Sequence, residues 1–297
     1  MDHSEKIKKL IDRDHYGLFK EIREIVEKSE ISFQKETKDS HLWEHTLNVA
    51  SIALRLAEKE KADPLTIALT AIFHDSGKFQ EGKYHSDDIP EEEESIRIAA
   101  SLFKDFDVPS GLGETVTAAL SNLYNSGGGK NRITDIIHDA DFLSKSGPLG
   151  IGEFFIKGVL RGENLINRII NSATKELTYS ENMASNMRTG SGGVMARKDK
   201  AFSRKFFRVL FEDLKKKGIA DLVIGNRNIE TEKCKKKIKL VTVSERECGS
   251  CGGKPEFNTS FDKGIKCEKL TLTLFCQECK KEIRETSFCL PEICREH

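Results

Sequence analysis

Apolar residues recur at helical spacing through the first two-thirds of the chain, then give way to short β-branched runs. Residues 15–29 place Leu18, Ile22 and Ile25 on one side. Residues 42–58 continue the pattern with Leu47, Ile52, Leu54 and Leu56 among small and polar residues. Asp63-Pro64 predicts a helix start, since Asp can cap and Pro suits the first turn. The helix it opens, 64–74, is apolar almost throughout, the pattern of a helix buried on most faces. Asp88-Ile89-Pro90 predicts another start, with Glu91 to Glu94 where acid side chains suit the helix dipole and Ile96, Ala99 and Phe103 on the inner face. Further helices are expected over 112–124, 131–145 and 152–171. A loop is expected at Asn125–Gly129, and a glycine-rich loop at 190–193. An amphipathic helix over 196–217 follows, carrying Phe202, Phe206, Val209, Leu210 and Leu214.

The texture changes near Gly218. Residues 222–244 hold the runs LVI and IKLVTV around the basic stretch KCKKKIK, and strand-like segments such as LTLTLF follow Cys248. The expected organisation is a mainly α domain over 1–220, short strands or linker over 221–245, and a small β module over 246–297.

Composition bounds the function. Lys+Arg and Asp+Glu both number 48, so the chain lacks the broad positive field of a protein that coats nucleic acid, although a local patch remains open. No run is long and apolar enough for a membrane span, and residues 1–10 lack the apolar core of a secretory signal, so a cytoplasmic location with no membrane partner is expected. All eight cysteines fall at or after Cys234, which in a reducing compartment favours metal binding over a disulfide-bonded tail.

Four positions in the helical part carry candidate chemistry: His45, the adjacent pair His74 and Asp75, and Asp141. Imidazole and carboxylate together suit Zn, Mn, Fe, Co or Ni, and helices packed side by side can bring such residues to one ion. Asp75 follows a run that should be dry, so its charge needs compensation, which a metal would supply. The alternative is that His74 and Asp75 merely cap their helix.

Several segments then match one family in order. HLWEHTLNVASIALRLA at 41–57 resembles the first His helix of the HD superfamily, and AIFHDSGKF at 71–79 resembles its HDxGK motif. YHSDDIPEEEESIRIAAS at 84–101, DADFLSKSGPLGIGEFF at 139–155 and the stretch from Met187 are similar to later segments of a soluble phosphohydrolase branch. The resemblance implies an all-α fold with a divalent ion (Mn, Mg, Fe, Co, Ni or Zn) held by His45, His74, Asp75 and Asp141. Asp139 is the other choice in its Asp-x-Asp segment. His41 is then a supporting or surface residue. Two-metal members carry a further His before the last-Asp segment. No His lies between His85 and His138 here, which points to a single-metal hydrolase. Lys78 is the expected phosphate-binding cation, and His85 and Glu94 are candidates for proton transfer or water positioning. The implied activity is hydrolysis of a phosphoester, with nucleotides as the leading substrate class. A nuclease acting on single strands and a nucleotide-sensing binding protein are the alternatives.

Cys248-x-x-Cys251 and Cys276-x-x-Cys279 have the spacing of a structural Cys₄ zinc site, and the segment looks like a zinc ribbon. A module this short needs the metal to fold. It could also contact nucleic acid or a protein partner. Cys267, Cys289 and Cys294 stay unassigned, and Cys234 reads as a bystander.

Overall fold

Local capping sets where the helices begin. Ser40 accepts the amide hydrogen of Trp43 at 3.0 Å and donates its hydroxyl to the buried Glu30 at 2.6 Å, which starts a helix at His41. Asp63 accepts from both the amide and the hydroxyl of Thr66, at 2.8 and 2.7 Å. These are details of a computed structural model that describes residues 3–34, 40–80, 91–124, 131–160, 164–230, 237–263 and 268–289. The chain falls into two compact units, 1–144 with 188–192 and 145–187 with 193–297. The helical segment expected over 1–220 is therefore carried by both.

The first unit holds α1 (His3–Asp12), α2 (Leu18–Gln34), α3 (His41–Glu60), α4 (Pro64–Phe73), α5 (Glu91–Asp105), α6 (Ser110–Tyr124) and α7 (Arg132–Ser144). Helix α4 is its centre. Every residue from Thr66 to Phe73 is buried, as the uninterrupted apolar run requires. Helix α3 contributes Val49, Ala50, Ala53, Leu56 and Ala57, and α7 contributes Ile136, Ile137, Ala140 and Leu143. Helix α5 turns Ala99, Leu102 and Phe103 inward.

The second unit holds α8 (Gly147–Leu160), α9 (Leu165–Asn186), most of α10 (Gly190–Lys216), and five strands: β1 (Leu222–Ile229), β2 (Ile238–Glu245), β3 (Pro255–Lys263), β4 (Glu268–Cys276) and β5 (Glu282–Cys289). Strands β1 and β2 form an antiparallel ribbon, and β3, β4 and β5 a separate antiparallel sheet in that order. Ile169, Ile170, Ala173 and Leu177 of α9 pack with Phe207, Phe211 and Leu214 of α10 and with Val241 and Val243 of β2. Phe207 is fully buried, so truncating it to Ala would cost about 3–5 kcal/mol.

Three elements depart from the sequence pattern. The single helix expected over 152–171 is two helices, the second opened by Asn164, whose side chain accepts from the Asn167 amide at 2.9 Å. Helix α9 then runs on to Asn186 through a segment without apolar period, because polar side chains on it are buried and used. Thr178 accepts from the Val241 amide at 3.1 Å and donates to the Val241 carbonyl at 3.2 Å, and Asn182 does the same with Lys239 at 3.1 and 2.9 Å. Side chains of a helix thereby satisfy one edge of β2. Helix α10 begins at Gly190, so the glycine-rich stretch is its first turn and not a loop. Its inner face is Ser203, Phe207, Phe211 and Leu214, whereas Phe202 and Val209 are exposed.

Candidate metal centre

Helices α3, α4 and α7 bring the separated histidines and aspartates of the first unit together. One ring nitrogen each of His45 and His74 and a carboxylate oxygen of Asp141 all lie within 4.8 Å of one another. Asp141 Oδ1 is 3.1 Å from His45 Nε2. Asp75 adds its Oδ2 at 3.6 Å from His45 Nε2 and 3.4 Å from His74 Nε2. Ligand bonds of about 2.0–2.2 Å place donors around one ion roughly 3–4.4 Å apart, so the two imidazoles and Asp141 could hold a divalent first-row cation, while Asp75 stands beside them outside the set that meets within 4.8 Å. His45 Nε2 is buried and makes no hydrogen bond to any described residue, as an atom with another task would.

Each donor is prepared by its surroundings. The Nδ1 of His74 lies 2.7 Å from the carbonyl oxygen of Ala71 one turn earlier, which leaves Nε2 as the lone-pair nitrogen. Burial pushes the His74 pKa down, against the opposing pull of Asp75 and Asp141, and so favours the neutral ring that ligates. Burial works against ionisation of Asp75, yet the carboxyl lies below its ordinary range; with the His74 ring neutral, the adjacent Lys78 ammonium is the charge that holds it there. Lys78 supplies the closest contact, with Nζ 2.5 Å from Asp75 Oδ2.

The turn after α4 explains the glycine of the His-Asp-Ser-Gly-Lys segment. A Cβ on Gly77 would stand 2.0 Å from the Glu91 carbonyl oxygen and 2.6 Å from the Ser95 nitrogen. The Gly77 amide donates to Ser95 Oγ at 2.8 Å, so α5 abuts the turn backbone to backbone.

The Asp-x-Asp segment divides its labour. Asp139 is fully buried and accepts from the Arg188 and Thr189 amides, both at 2.8 Å, and from the Thr189 hydroxyl at 2.7 Å. Glu60 likewise accepts from the Ser191 amide and hydroxyl, at 3.0 and 2.6 Å. Protein carboxylates thus take the amides at the start of α10. Gly192 is needed there, because a Cβ would approach Asp139 Oδ2 to 2.3 Å.

The Glu94 carboxylate is held by Arg97 through two bonds of 2.8 Å, so a role in proton transfer requires that clamp to open. His85 lies outside the described residues. His41 is exposed, with Nδ1 4.0 Å from Glu44. Ser144, whose hydroxyl is 3.4 Å from His45 Nδ1, gave no sequence signal, and neither did the anchoring roles of Asp139 and Glu60.

In the second unit, one sulfur each from Cys248, Cys251, Cys276 and Cys279 also lie within 4.8 Å of one another. Cys248 and Cys279 are 3.9 Å apart and Cys251 and Cys276 3.4 Å. Tetrahedral zinc with Zn–S bonds of about 2.3 Å places sulfurs roughly 3.8 Å apart. The amides of Ser250 and Cys251 point at the Cys248 sulfur and lower its pKa to about 7, and those of Cys279 and Glu278 lower that of Cys276. Each turn therefore favours one thiolate, whereas Cys251, despite the Gly253 amide, is pushed up to about 12 by the neighbouring cysteines and by burial. Cys234, Cys267 and Cys294 lie outside the described residues, as does the side chain of Cys289.

Among solved structures, an HD-superfamily hydrolase from Bacillus thuringiensis aligns with a TM-score of 0.50 at 17% identity, over 72% of this chain and 99% of its own. YpgQ from Bacillus subtilis, in complex with ADP, aligns with a TM-score of 0.48 at 19% identity, over 71% and 97%. A predicted HD superfamily hydrolase from an uncultured Thermotogales bacterium aligns with a TM-score of 0.47 at 18% identity, over 64% and 91%. None of the curated proteins matches the chain. Residues 42–146, which include His45, His74, Asp75 and Asp141, match the HD domain, and the chain carries an HD domain there.

Proposed function

We propose that the chain is a metal-dependent phosphohydrolase that cleaves a phosphoester, with nucleotides as its substrate class. One observation carries the reading: two imidazole nitrogens and an aspartate oxygen from three separate helices meet within 4.8 Å in an HD domain. His45, His74, Asp75 and Asp141 would hold the ion. When bound, a divalent ion supplies a water of lowered pKa and polarises a phosphoryl oxygen.

The chain's own groups do the rest. Ala71 orients the His74 ring, and Lys78 keeps Asp75 ionised. The Lys78 ammonium is part-exposed beside the donor set, and its charge suits a phosphate there. The nucleotide class comes from the resemblance of the segments at 41–57, 71–79, 84–101 and 139–155 to that phosphohydrolase branch. The four cysteines would hold a structural zinc, giving the β3–β5 sheet the folding energy that so small a core lacks.

The test is phosphate release from a panel of nucleotides with Mn, Mg, Fe, Co, Ni or Zn, alongside a labelled single-stranded oligonucleotide. Metal-dependent release from a nucleotide supports the reading. Cleavage of the oligonucleotide alone makes the chain a nuclease, and tight nucleotide binding without turnover makes it a sensor. Full turnover after metal removal overturns the mechanism.

A further inference from the structure

Ser144 closes α7 and is fully buried, with its hydroxyl against two members of the candidate centre. It donates to the carbonyl oxygen of Asp141 at 2.7 Å and lies 3.4 Å from Nδ1 of His45. A hydroxyl has one hydrogen and two lone pairs. With the hydrogen on the Asp141 carbonyl, the side facing His45 offers only a lone pair. Nδ1 is then the nitrogen that carries the ring hydrogen, and Nε2 is left bare. Asp141 Oδ1 stands 3.1 Å from that Nε2, yet the two form no hydrogen bond, so the alternative tautomer has no comparable anchor among the described residues.

We propose that Ser144 is a positioning residue, selecting the Nδ1–H tautomer of His45 so that its Nε2 lone pair faces His74 and Asp141. A serine bonding back three residues along its own helix is common and explains the first contact alone. The second contact crosses from α7 to α3 and joins the orientation of His45 to the backbone that carries Asp141. His74 receives the same service from Ala71 within its own helix, so both imidazoles present the same nitrogen. The inference rests on the metal-centre reading for its purpose, while the tautomer itself belongs to the metal-free chain.

The experiment is a long-range proton–nitrogen correlation spectrum of the ¹⁵N-labelled full chain without added metal, at a pH where the ring is neutral. His45→Gln assigns the signal. The Nδ1–H pattern is expected for His45 in the parent chain. Ser144→Ala should shift it toward Nε2–H and weaken Co(II) binding, read from the ligand-field absorption, by about tenfold or more. Ser144→Thr keeps the hydroxyl and should restore both. An Nε2–H pattern in the parent chain overturns the proposal, and so does an unchanged tautomer and Co(II) affinity in folded Ser144→Ala. Failure of the hydrolase reading would appear separately, as absent turnover with the tautomer as expected.

Discussion

The imidazole of His74 donates its Nδ1 hydrogen to the carbonyl oxygen of Ala71 at 2.7 Å, so the helix that delivers the ring also orients it. The carbonyl can only accept, which makes the ring nitrogen the donor. The preceding residues of α4 are buried, so the ring is tied to a packed helix and its Nε2 is left for the candidate metal centre.

His74→Ala should therefore abolish both metal retention at the helical site and phosphate release. Metal on the four cysteines should be unaffected, so elemental analysis should show loss at the helical site only. Far-ultraviolet circular dichroism should report intact helices.

Asp139 and Asp141 should separate cleanly under substitution. Asp139→Ala leaves the amides of Arg188 and Thr189 without their acceptor and should cost about 2–4 kcal/mol of stability in denaturant titration. Asp141→Ala should remove metal binding while changing the metal-free stability far less. Equal metal loss with unchanged stability in both variants would contradict this division.

Gly77→Ala should destabilise the chain by more than about 2 kcal/mol, since the added methyl meets the Glu91 carbonyl and the Ser95 nitrogen and one backbone must move. Because the turn carries Asp75 and Lys78, activity should fall by more than the unfolded fraction explains. Thermal unfolding and single-turnover rates on the same preparation check both parts.

Glu176 predicts a pH dependence remote from the metal. Burial outweighs the bonds from Ser203 and the Gly147 amide, and with Asp199 also opposing ionisation the carboxyl is raised to about 7. The folded chain then holds a proton between its ordinary pKa and about 7 that the unfolded chain has lost. Stability from this group should accordingly be present at acid pH and decline as pH rises through that window, by roughly 3 kcal/mol in all. Glu176→Gln should flatten that part of the profile and be the more stable form at pH 8. An unchanged slope between pH 5 and 8 would show that the carboxyl titrates normally.

Chelation should act on the tail selectively. Stripping the four-cysteine site, or Cys248→Ser, should open the β3–β5 sheet to proteolysis while residues of α3, α4 and α7 stay resistant. Proteolysis followed by mass mapping would show it. Equal protection with and without zinc would remove the metal from the folding argument.

What could be read from the residues differs by element. Helix α4 was legible because its apolar run leaves no other fate, and the His-Asp pair after it follows from the charge that such a run cannot bury unaided. The later turns of α9 are opaque because, beside Leu177 and Met183, their buried positions are Thr174, Glu176, Thr178, Ser180 and Asn182, which hydropathy reads as exposed. The start of α10 departs from its sequence pattern because glycine, ordinarily a breaker, is needed at 192 for Asp139 to approach. In the Asp-x-Asp segment spacing alone left two aspartates, and only the path of the Arg188–Thr189 backbone shows that one is already taken. Ser144 had no signal because its partner is ninety-nine positions away.

The pairing of Thr178 and Asn182 with β2 has a consequence for how the chain behaves in company. A two-stranded ribbon ordinarily offers a ladder of open amides and carbonyls to any passing strand. At Lys239 and Val241 those groups are already spoken for by side chains that lie across the strand and cannot propagate a ladder. The ribbon is blunted on that flank against templated stacking, and the polar residues of α9 act there as a guard against self-association.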